Sequence, residues 1–283
     1  MRVAVAQIEP KLAEKERNLD LCLARLEEAV VEDAELLVLP ECAIPGYVYE
    51  SGDEALPYAE EIPGPSTELL EREASRLGLH VVCGLLERGV SENGGDALRN
   101  AAVFVSPDDG LLGTYRKTHL PFLGVDRFVV PGDELPVWDT PLGRIGIEIC
   151  YDLRFPEVTR TLALRGADIV AHPTNFPMAA RIQTELITVA RAAENRVYLL
   201  TANRVGKERW AEFCGWSQIV DPFGVRLDEA DATEEKLLVA DVDVEKARDK
   251  DYVIPGEYEL YLFGHRRPEL YGALVEEPQR VQA

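Results

Sequence analysis

Short apolar runs alternate along the chain with stretches whose apolar residues recur every three or four positions, a pattern of strands separated by single helices. Val3-Ala4-Val5-Ala6 opens as a strand. From Asn18 to Val31, Leu19, Cys22 with Leu23, Leu26, and Ala29 with Val30 form the stripe of an amphipathic helix. Glu35-Leu36-Leu37-Val38-Leu39 predicts a buried strand stopped by Pro40, and Pro65 to Leu77 a helix ended by Gly78. Val81–Leu86, Ala101–Val105 and Leu112–Tyr115 read as strands, with Pro107-Asp108-Asp109-Gly110 as a hairpin turn. Further on, the pattern predicts a strand over Ile145–Cys150 and a helix over Glu157–Arg165 closing on Gly166. A strand over Asp168–His172, a helix over Ala179–Glu194 and strands at Val197–Ala202, Ser217–Val220 and Leu237–Val242 complete it.

Strands that follow strands, interrupted by single helices, imply a layered α/β domain with mixed sheets. No Pro-, Gly- or Ser-rich linker divides the chain, so a single domain is expected, with a core over about 1–250. The stretch 252–283, with Tyr258, Tyr261 and Phe263 among charges, is expected to be an extended C-terminal arm. Its natural partner is a second copy, giving a homodimer or a higher homo-oligomer.

Composition narrows the functional classes. The chain has 283 residues, 46% hydrophobic and 29% charged, as in an ordinary globular protein. Its 51 acidic against 30 basic residues give a net charge of −21, which repels phosphate backbones and anionic lipid. Neither nucleic acid nor a membrane is an expected partner. No apolar run approaches a membrane span, and the N-terminus lacks a signal-peptide pattern, so a cytoplasmic location is expected. Cys22, Cys42, Cys83, Cys150 and Cys214 are odd in number and widely spaced, and His80, His119, His172 and His265 are scattered. That arrangement favours neither a disulfide framework nor a metal site. No GxGxxG, Walker-type or GxSxG motif is present, so no nucleotide cofactor and no serine nucleophile is expected.

Three positions stand at the ends of predicted strands. Glu41 follows Leu36-Leu37-Val38-Leu39-Pro40, Lys117 follows Leu112-Gly113-Thr114-Tyr115-Arg116, and Cys150 ends Ile145-Gly146-Ile147-Glu148-Ile149. Ligands of open α/β folds gather at the carboxyl ends of strands, so a carboxylate, an amine and a thiol could converge there. Singly, each has a plain structural reading: a solvated loop acid, a surface lysine and an inert core thiol.

Together with their surroundings they resemble the nitrilase superfamily of carbon–nitrogen hydrolases. The resemblance lies in Leu39-Pro40-Glu41-Cys42 through Pro45-Gly46-Tyr47, in Tyr115-Arg116-Lys117-Thr118-His119-Leu120, and in Ile149-Cys150-Tyr151-Asp152 through Arg154-Phe155-Pro156-Glu157. Asn100-Ala101-Ala102, Pro131-Gly132, His172-Pro173-Thr174-Asn175, Arg191–Arg196, Asn203-Arg204-Val205-Gly206 and Gly215-Trp216-Ser217-Gln218 support it in order along the chain. The resemblance implies an α-β-β-α sandwich and a catalytic set of Glu41 as general base, Lys117 as oxyanion partner and Cys150 as nucleophile. It also implies that the Tyr151 N–H helps hold the oxyanion, that Tyr47, Asn175 and Phe176 flank the site, and that no cofactor is used. A free thiol near pKa 8.5 needs about 2 kcal/mol to reach pKa ~7, an energy that an adjacent ammonium can supply.

The branch is narrowed by Cys150-Tyr151-Asp152, which looks like the amidase type, whereas nitrile hydrolysers of the superfamily usually show Trp-Glu after the Cys. Hydrolysis of a small amide through a thioester is therefore expected. Nitrile hydrolysis and N-carbamoyl amino acid hydrolysis stand as alternatives, together with acyl transfer to an amine and a catalytically inactive sandwich that acts as an interaction protein. Arg154 resembles the arginine with which carbamoylase-like members grip a substrate carboxylate; its plain reading is a structural ion pair, for instance with Glu157. Many members also carry an auxiliary glutamate between the lysine and the cysteine, and this chain has none before Pro131-Gly132. Asp126 is the first candidate for that place and Glu148 the second, on the argument that strand alternation puts Gly146, Glu148 and Cys150 on one face; the plain reading of Glu148, which is favoured, is a surface or helix-facing acid with an Arg partner. Glu134 is the third.

Overall fold

The computed structural model describes residues 1–90 and 94–276. Along the chain run β1 (Arg2–Gln7), α1 (Lys15–Val31), β2 (Leu36–Val38), the short α2 (Gly52–Ala55), α3 (Pro65–Leu77), β3 (His80–Val90), β4 (Asp96–Ser106) and β5 (Gly110–Arg116). The second half continues with β6 (Val137–Thr140), β7 (Gly143–Ile147), α4 (Pro156–Leu164), β8 (Ile169–Pro173), α5 (Thr188–Asn195) and β9 (Tyr198–Ala202). The small hairpin β10 (Lys207–Glu208) and β11 (Ala211–Glu212) precedes β12 (Gln218–Val220), β13 (Arg226–Glu229), β14 (Lys236–Asp241) and α6 (Val244–Arg248).

Two six-stranded sheets result, in the orders β14-β1-β2-β3-β4-β5 and β13-β12-β9-β8-β7-β6. In the first, β1, β2 and β3 are parallel, with β14 antiparallel on one flank and β4 and β5 antiparallel on the other. The second repeats this pattern, with β7, β8 and β9 parallel, β6 antiparallel on one flank, and β12 and β13 on the other. Parallel neighbours need a crossover, and α1, α3, α4 and α5 supply it. The sheets meet face to face through β1, β2 and β3 against β8 and β9, while α1 and α3 cover one outer face and α4 and α5 the other. This is the α-β-β-α sandwich.

The packing follows from the sequence pattern. Cys22, Leu26 and Ala29 of α1 and Leu70 and Ala74 of α3 are fully buried with Ala4, Leu37, Val81 and Val103 of the first sheet. Each such leucine contributes roughly 1.5–3 kcal/mol. Helix α3 starts with Pro65 at its first position and stops at Gly78, whose φ of 70° is the left-handed conformation that glycine adopts without strain.

Three expectations need correcting. The strand predicted over Ile145–Cys150 ends at Ile147. The helix predicted over 179–194 is broken into a 3-10 turn (Met178–Ala180), a π-helical turn (Gln183–Ile187) and α5, because Thr184 and Thr188 bond back to carbonyls and disturb the helical ladder. The edge strands β6 and β13 were not anticipated; both are short and largely uncovered, so neither carries a clean alternation.

The sandwich core lies within one compact unit, Met1–Arg248, and a second unit begins at Asp249. In the second unit Tyr252–Ile254 pairs with Tyr258–Leu260 as a hairpin, and the rings of Tyr252 and Tyr258 lie 5.5 Å apart. Part of the expected arm, from 277 onward, lies outside the described residues. Among the described residues no helix is long and apolar enough to cross a membrane.

Gly84 of β3 marks the place where the chain after β2 is laid against the sheet. A Cβ there would meet the Pro40 carbonyl oxygen at 2.4 Å and the Glu41 Cα at 2.6 Å, both backbone atoms that cannot step aside. At Gly89 on the same strand, the nearest atom is the flexible end of Arg99, at 2.5 Å. Gly84→Ala is therefore expected to cost about 1–3 kcal/mol by overpacking, read as a lowered midpoint in thermal unfolding, whereas Gly89→Ala costs clearly less. Equal midpoints for the two variants would contradict this placement.

Candidate active site

Three chain segments enter one place from the ends of strands. After β2, the Leu39 N–H donates to the Val82 carbonyl (2.8 Å) and the Gly84 N–H to that of Pro40 (3.2 Å), so Glu41 is carried along β3. Lys117 directly follows β5; its N–H donates to the Asn100 carbonyl (2.9 Å) and its own carbonyl accepts from the Gly132 N–H (2.9 Å). Beyond β7, the Glu148 N–H still pairs with Ala171 (3.1 Å), and the chain then turns sharply. Cys150 sits at that turn with a φ of 47° and opens the 3-10 turn Cys150–Arg154. A left-handed backbone at a non-glycine residue costs about 1–3 kcal/mol and persists only where its surroundings impose it.

Asp152 imposes much of it. Its buried carboxylate accepts from the Ile149 N–H (3.0 Å), the Tyr115 hydroxyl (2.7 Å), the Thr118 hydroxyl (2.9 Å) and the His119 N–H (2.9 Å). The segment bearing Lys117 is thereby stapled to the turn bearing Cys150. The His119 ring, whose Nδ1 lies 2.8 Å from Asp152 Oδ1, and then the Tyr115 hydroxyl hold the Asp152 carboxyl below its ordinary value although burial alone would raise it.

At the centre, Lys117 Nζ donates to Glu41 Oε1 and to Asp126 Oδ2, each at 2.6 Å, with all three side chains fully buried. Asn100 Nδ2 bridges the same two acids, at 2.7 Å to Glu41 and 2.8 Å to Asp126 Oδ1. The Tyr47 hydroxyl donates to Asp126 Oδ2 at 2.8 Å. Burial would lower the Lys117 amine, but Asp126 and Glu41 outweigh it and hold the group well above its ordinary value, as an ammonium. Glu41 is raised, first by burial and further by Asp126, with Lys117 and Asn100 opposing. One oxygen of Glu41, Oε2, has no hydrogen-bond partner despite its burial. Carboxylates in dry sites are normally saturated, so a free lone pair here is a vacancy for a proton.

Cys150 lies within electrostatic reach of this group and lines a cavity of about 240 Å³ with Pro121, Leu123, Tyr151, Arg154, Phe176, Pro177, Ala179 and Ala180. Its thiol is pushed well up, first by burial and then by Glu41; Lys117, Thr174 and the Asn175 N–H oppose the rise. The adjacent ammonium does pull the thiol down, as expected, but burial outweighs it. The Lys117 charge is already shared by two carboxylates, so the thiol meets little net positive field. A separate cavity of about 260 Å³ beside Phe128, Leu98 and Asp53 contains none of these groups.

Of the three candidate auxiliary acids, the structure brings only Asp126 into contact with Lys117. Glu148 is fully buried but faces α4, where its Oε2 accepts from the Thr159 hydroxyl at 2.7 Å. The alternation argument fails because the strand ends at Ile147 and the chain turns at Cys150, which has a positive φ. Burial pushes the Glu148 carboxyl up to about 8, against the pull of Thr159 and Arg191. Glu134 is exposed and lines a polar groove with Thr114, Arg116 and Asp133.

The remaining candidates take different places. Tyr151 and Phe176 line the cavity with Cys150, and Arg154 reaches it from an exposed position. Among the described residues Arg154 forms no ion pair, with Glu157 or any other acid. With its side-chain amide oriented to suit both partners, Gln183 accepts from Arg154 Nε (3.3 Å) and Nη2 (3.1 Å). Asn175 is buried, and neither atom of its amide has a partner. Tyr47 is buried against Asp126. A Cβ at Gly124, which has a φ of 49°, would strike the Tyr47 ring at 2.4 Å, so this glycine is what admits the ring.

Two supporting residues escaped the sequence reading as functional groups. Asn100, seen there only as part of a motif, bridges both acids. Glu208, in β10, accepts from the N–H groups of Tyr47 (3.0 Å) and Val48 (2.9 Å) and pairs with the buried Arg204, which fixes the loop behind Tyr47. Among the described residues no three His, Cys, Asp or Glu side chains are placed to share a metal ion.

Comparison with known proteins agrees with this geometry. The family model described as carbon-nitrogen hydrolase matches residues 2–252. A protein of Pyrococcus abyssi named nitrilase is 40% identical over 252 residues, 88% of this chain and 92% of the relative. The human protein named omega-amidase NIT2 is 32% identical over 276 residues, 93% of this chain and 94% of the relative. Among solved structures, a variant of the amidase of Nesterenkonia sp. AN1, carrying acrylamide added to its active-site cysteine, superposes with a TM-score of 0.74 at 27% identity, covering 88% of this chain and 96% of that one. A sandwich with a buried acid, lysine and thiol at its strand ends, matched over nearly the whole core, places this chain in the carbon–nitrogen hydrolase family, enzymes that act on C–N bonds other than peptide bonds.

Proposed function

We propose that the protein hydrolyses the carboxamide of a small amide that also carries a carboxylate, an ω-amide, with Cys150 as nucleophile. The observation that carries the substrate class is Arg154. It stands at the rim of the same cavity as Cys150, without an ionic partner among the described residues, and the rest of the lining is mostly apolar. A carboxylate is the complementary group for a guanidinium fork, and Gln183 holds that fork in orientation. The relatives named omega-amidase support the same choice, and the amidase structures support an amide substrate.

The chemistry follows from the cluster. The thiol is raised, not lowered, so it attacks as its proton leaves: the sulfur forms a bond to the amide carbon while the proton passes to Glu41 Oε2, the free oxygen. A base with a raised pKa suits that transfer. The carbonyl oxygen becomes an oxyanion held by the Lys117 ammonium and the Tyr151 N–H. Glu41 returns the proton to nitrogen, the C–N bond breaks, ammonia leaves and a thioester remains. Water then gives a proton to Glu41 and its oxygen to the acyl carbon. The C–S bond breaks, the carboxylic acid departs, and Glu41 reprotonates the sulfur. Asp126 keeps Lys117 charged and aimed throughout, because a buried ammonium facing one carboxylate that must take up a proton would otherwise lose its counter-charge.

Five measurements test this reading. Cys150→Ala is expected to abolish ammonia release while the fold is kept. In the wild type, hydroxylamine is expected to divert product to hydroxamate, because a thioester yields to better nucleophiles than water. Absence of both an acyl adduct in quenched intact-mass spectra and any hydroxamate would refute the covalent course. Asp126→Asn is expected to lower turnover by about 10²-fold, some 2.7 kcal/mol of transition-state stabilisation, and wild-type kinetics would remove Asp126 from the site. Arg154→Leu is expected to raise KM by about 10–100-fold for ω-amides, the worth of one charged hydrogen-bonded contact, while leaving neutral amides nearly unaffected. A panel of simple amides, ω-amides, N-carbamoyl amino acids and nitriles, scored for ammonia release, separates the substrate class from its alternatives.

A further inference from the structure

The Cys150–Tyr151 peptide group has two ends. Its N–H belongs to Tyr151, which carries the oxyanion in the reading above. Its carbonyl belongs to Cys150 and has a partner deep in the second sheet, His172 of β8, whose Nε2 lies 3.3 Å from that oxygen. The other ring nitrogen, Nδ1, lies 3.1 Å from the Thr201 hydroxyl. His172 is wholly buried and directly paired with Thr201 across the parallel strands β8 and β9.

The tautomer follows from the partners. A carbonyl oxygen can only accept, so Nε2 carries the hydrogen and donates it to Cys150. In a neutral imidazole Nδ1 is then the acceptor, and the Thr201 hydroxyl donates to it. Burial holds the ring neutral, with its pKa pushed down to about 4, so the arrangement does not change across the working range of pH. Phe176, which lines the cavity, packs on the ring with centroids 5.6 Å apart.

We propose that His172 is a positioning residue for the oxyanion: through its bond to the Cys150 carbonyl it fixes and polarises the peptide whose N–H receives the developing charge. Two physical effects act together. The left-handed Cys150 backbone is strained, and without a partner on its carbonyl the peptide plane is free to rotate and relieve that strain. A hydrogen bond accepted at C=O also strengthens the N–H of the same amide, by about 10–30% per bond in a chain. The relay Thr201 → His172 → Cys150 carbonyl therefore ends at the substrate, although neither side chain touches it. The proposal rests on the reading of Cys150 as nucleophile and of the Tyr151 N–H as oxyanion donor.

The test separates attack that needs an oxyanion from attack that does not. Alkylation of Cys150 by iodoacetamide displaces iodide at a saturated carbon and builds no oxyanion, whereas amide hydrolysis does. Loss of a whole oxyanion donor costs about 10²–10³ in kcat, so a misaimed one is expected to cost roughly 10–100-fold. In His172→Leu, kcat for amide hydrolysis is expected to fall by that factor, with KM and the rate of Cys150 alkylation each within about threefold of the wild type. His172→Gln, which keeps an N–H donor, is expected to recover most of the loss. Thr201→Val serves where His172→Leu does not fold, with an expected fall in kcat of roughly 3–10-fold. Unchanged kcat in the folded variants, or hydrolysis and alkylation falling together, would overturn the proposal. Neither result touches the nucleophile assignment, which stands or falls on Cys150→Ala and the acyl adduct in the wild type.

Discussion

The buried Lys117 ammonium between Glu41 and Asp126 is the constraint on which the rest of the site depends. Placing one cation and two anions in a fully dry setting is costly, since each ion gives up several kcal/mol of hydration. The cost is offset by short hydrogen bonds within the group: Nζ on both acids, Asn100 across the pair, and Tyr47 on Asp126. Glu41 Oε2 has no such partner. On the proposed reading, that open oxygen is the one that receives the proton. The Cys150 thiol is pushed up by the same burial, so on the proposed reading its proton leaves as the sulfur attacks.

The sheets explain how such a group can be held. Each contributes three parallel strands with antiparallel flanks, and the reactive residues leave from strand ends that face one another across the sandwich. Glu41 follows β2, Lys117 follows β5, Cys150 follows β7 by three residues, and Thr174 and Asn175 follow β8. Asp152, Asn100 and Glu208 then tie these ends together with hydrogen bonds to backbone and side chain. Small residues permit the close approaches: Gly84 under Glu41 and Gly124 against the Tyr47 ring.

Much of the strand and helix order was legible in the sequence, because the core strands of the two sheets are short apolar runs and α1 and α3 carry clear stripes and stop signals. The edges β6 and β13 were not, since uncovered strands lack a burial pattern. Glu41, Lys117 and Cys150 were legible through their motifs, and Asp126 through its offset from Pro131-Gly132. The state of the thiol was not, because it depends on a charge sum over two acids and one amine that only the fold brings together. Glu148 lies toward a helix, as its plain reading had it, and only the alternation argument for it fails, because alternation along a strand says nothing once the strand has ended. The roles of Asn100 and His172 were invisible to spacing, since both act through partners distant in the chain.

The division of the site between the two sheets has a consequence for how the chain comes to life. Glu41, Lys117 and Asp126 belong to the segment built around the first sheet, and Cys150 to the second. A nascent chain that has completed only its first half holds a base and a cation with no nucleophile, and the second half alone holds an ordinary thiol. The candidate group is complete only when both sheets are in place. On the proposed reading, activity is itself a report that the sandwich has closed.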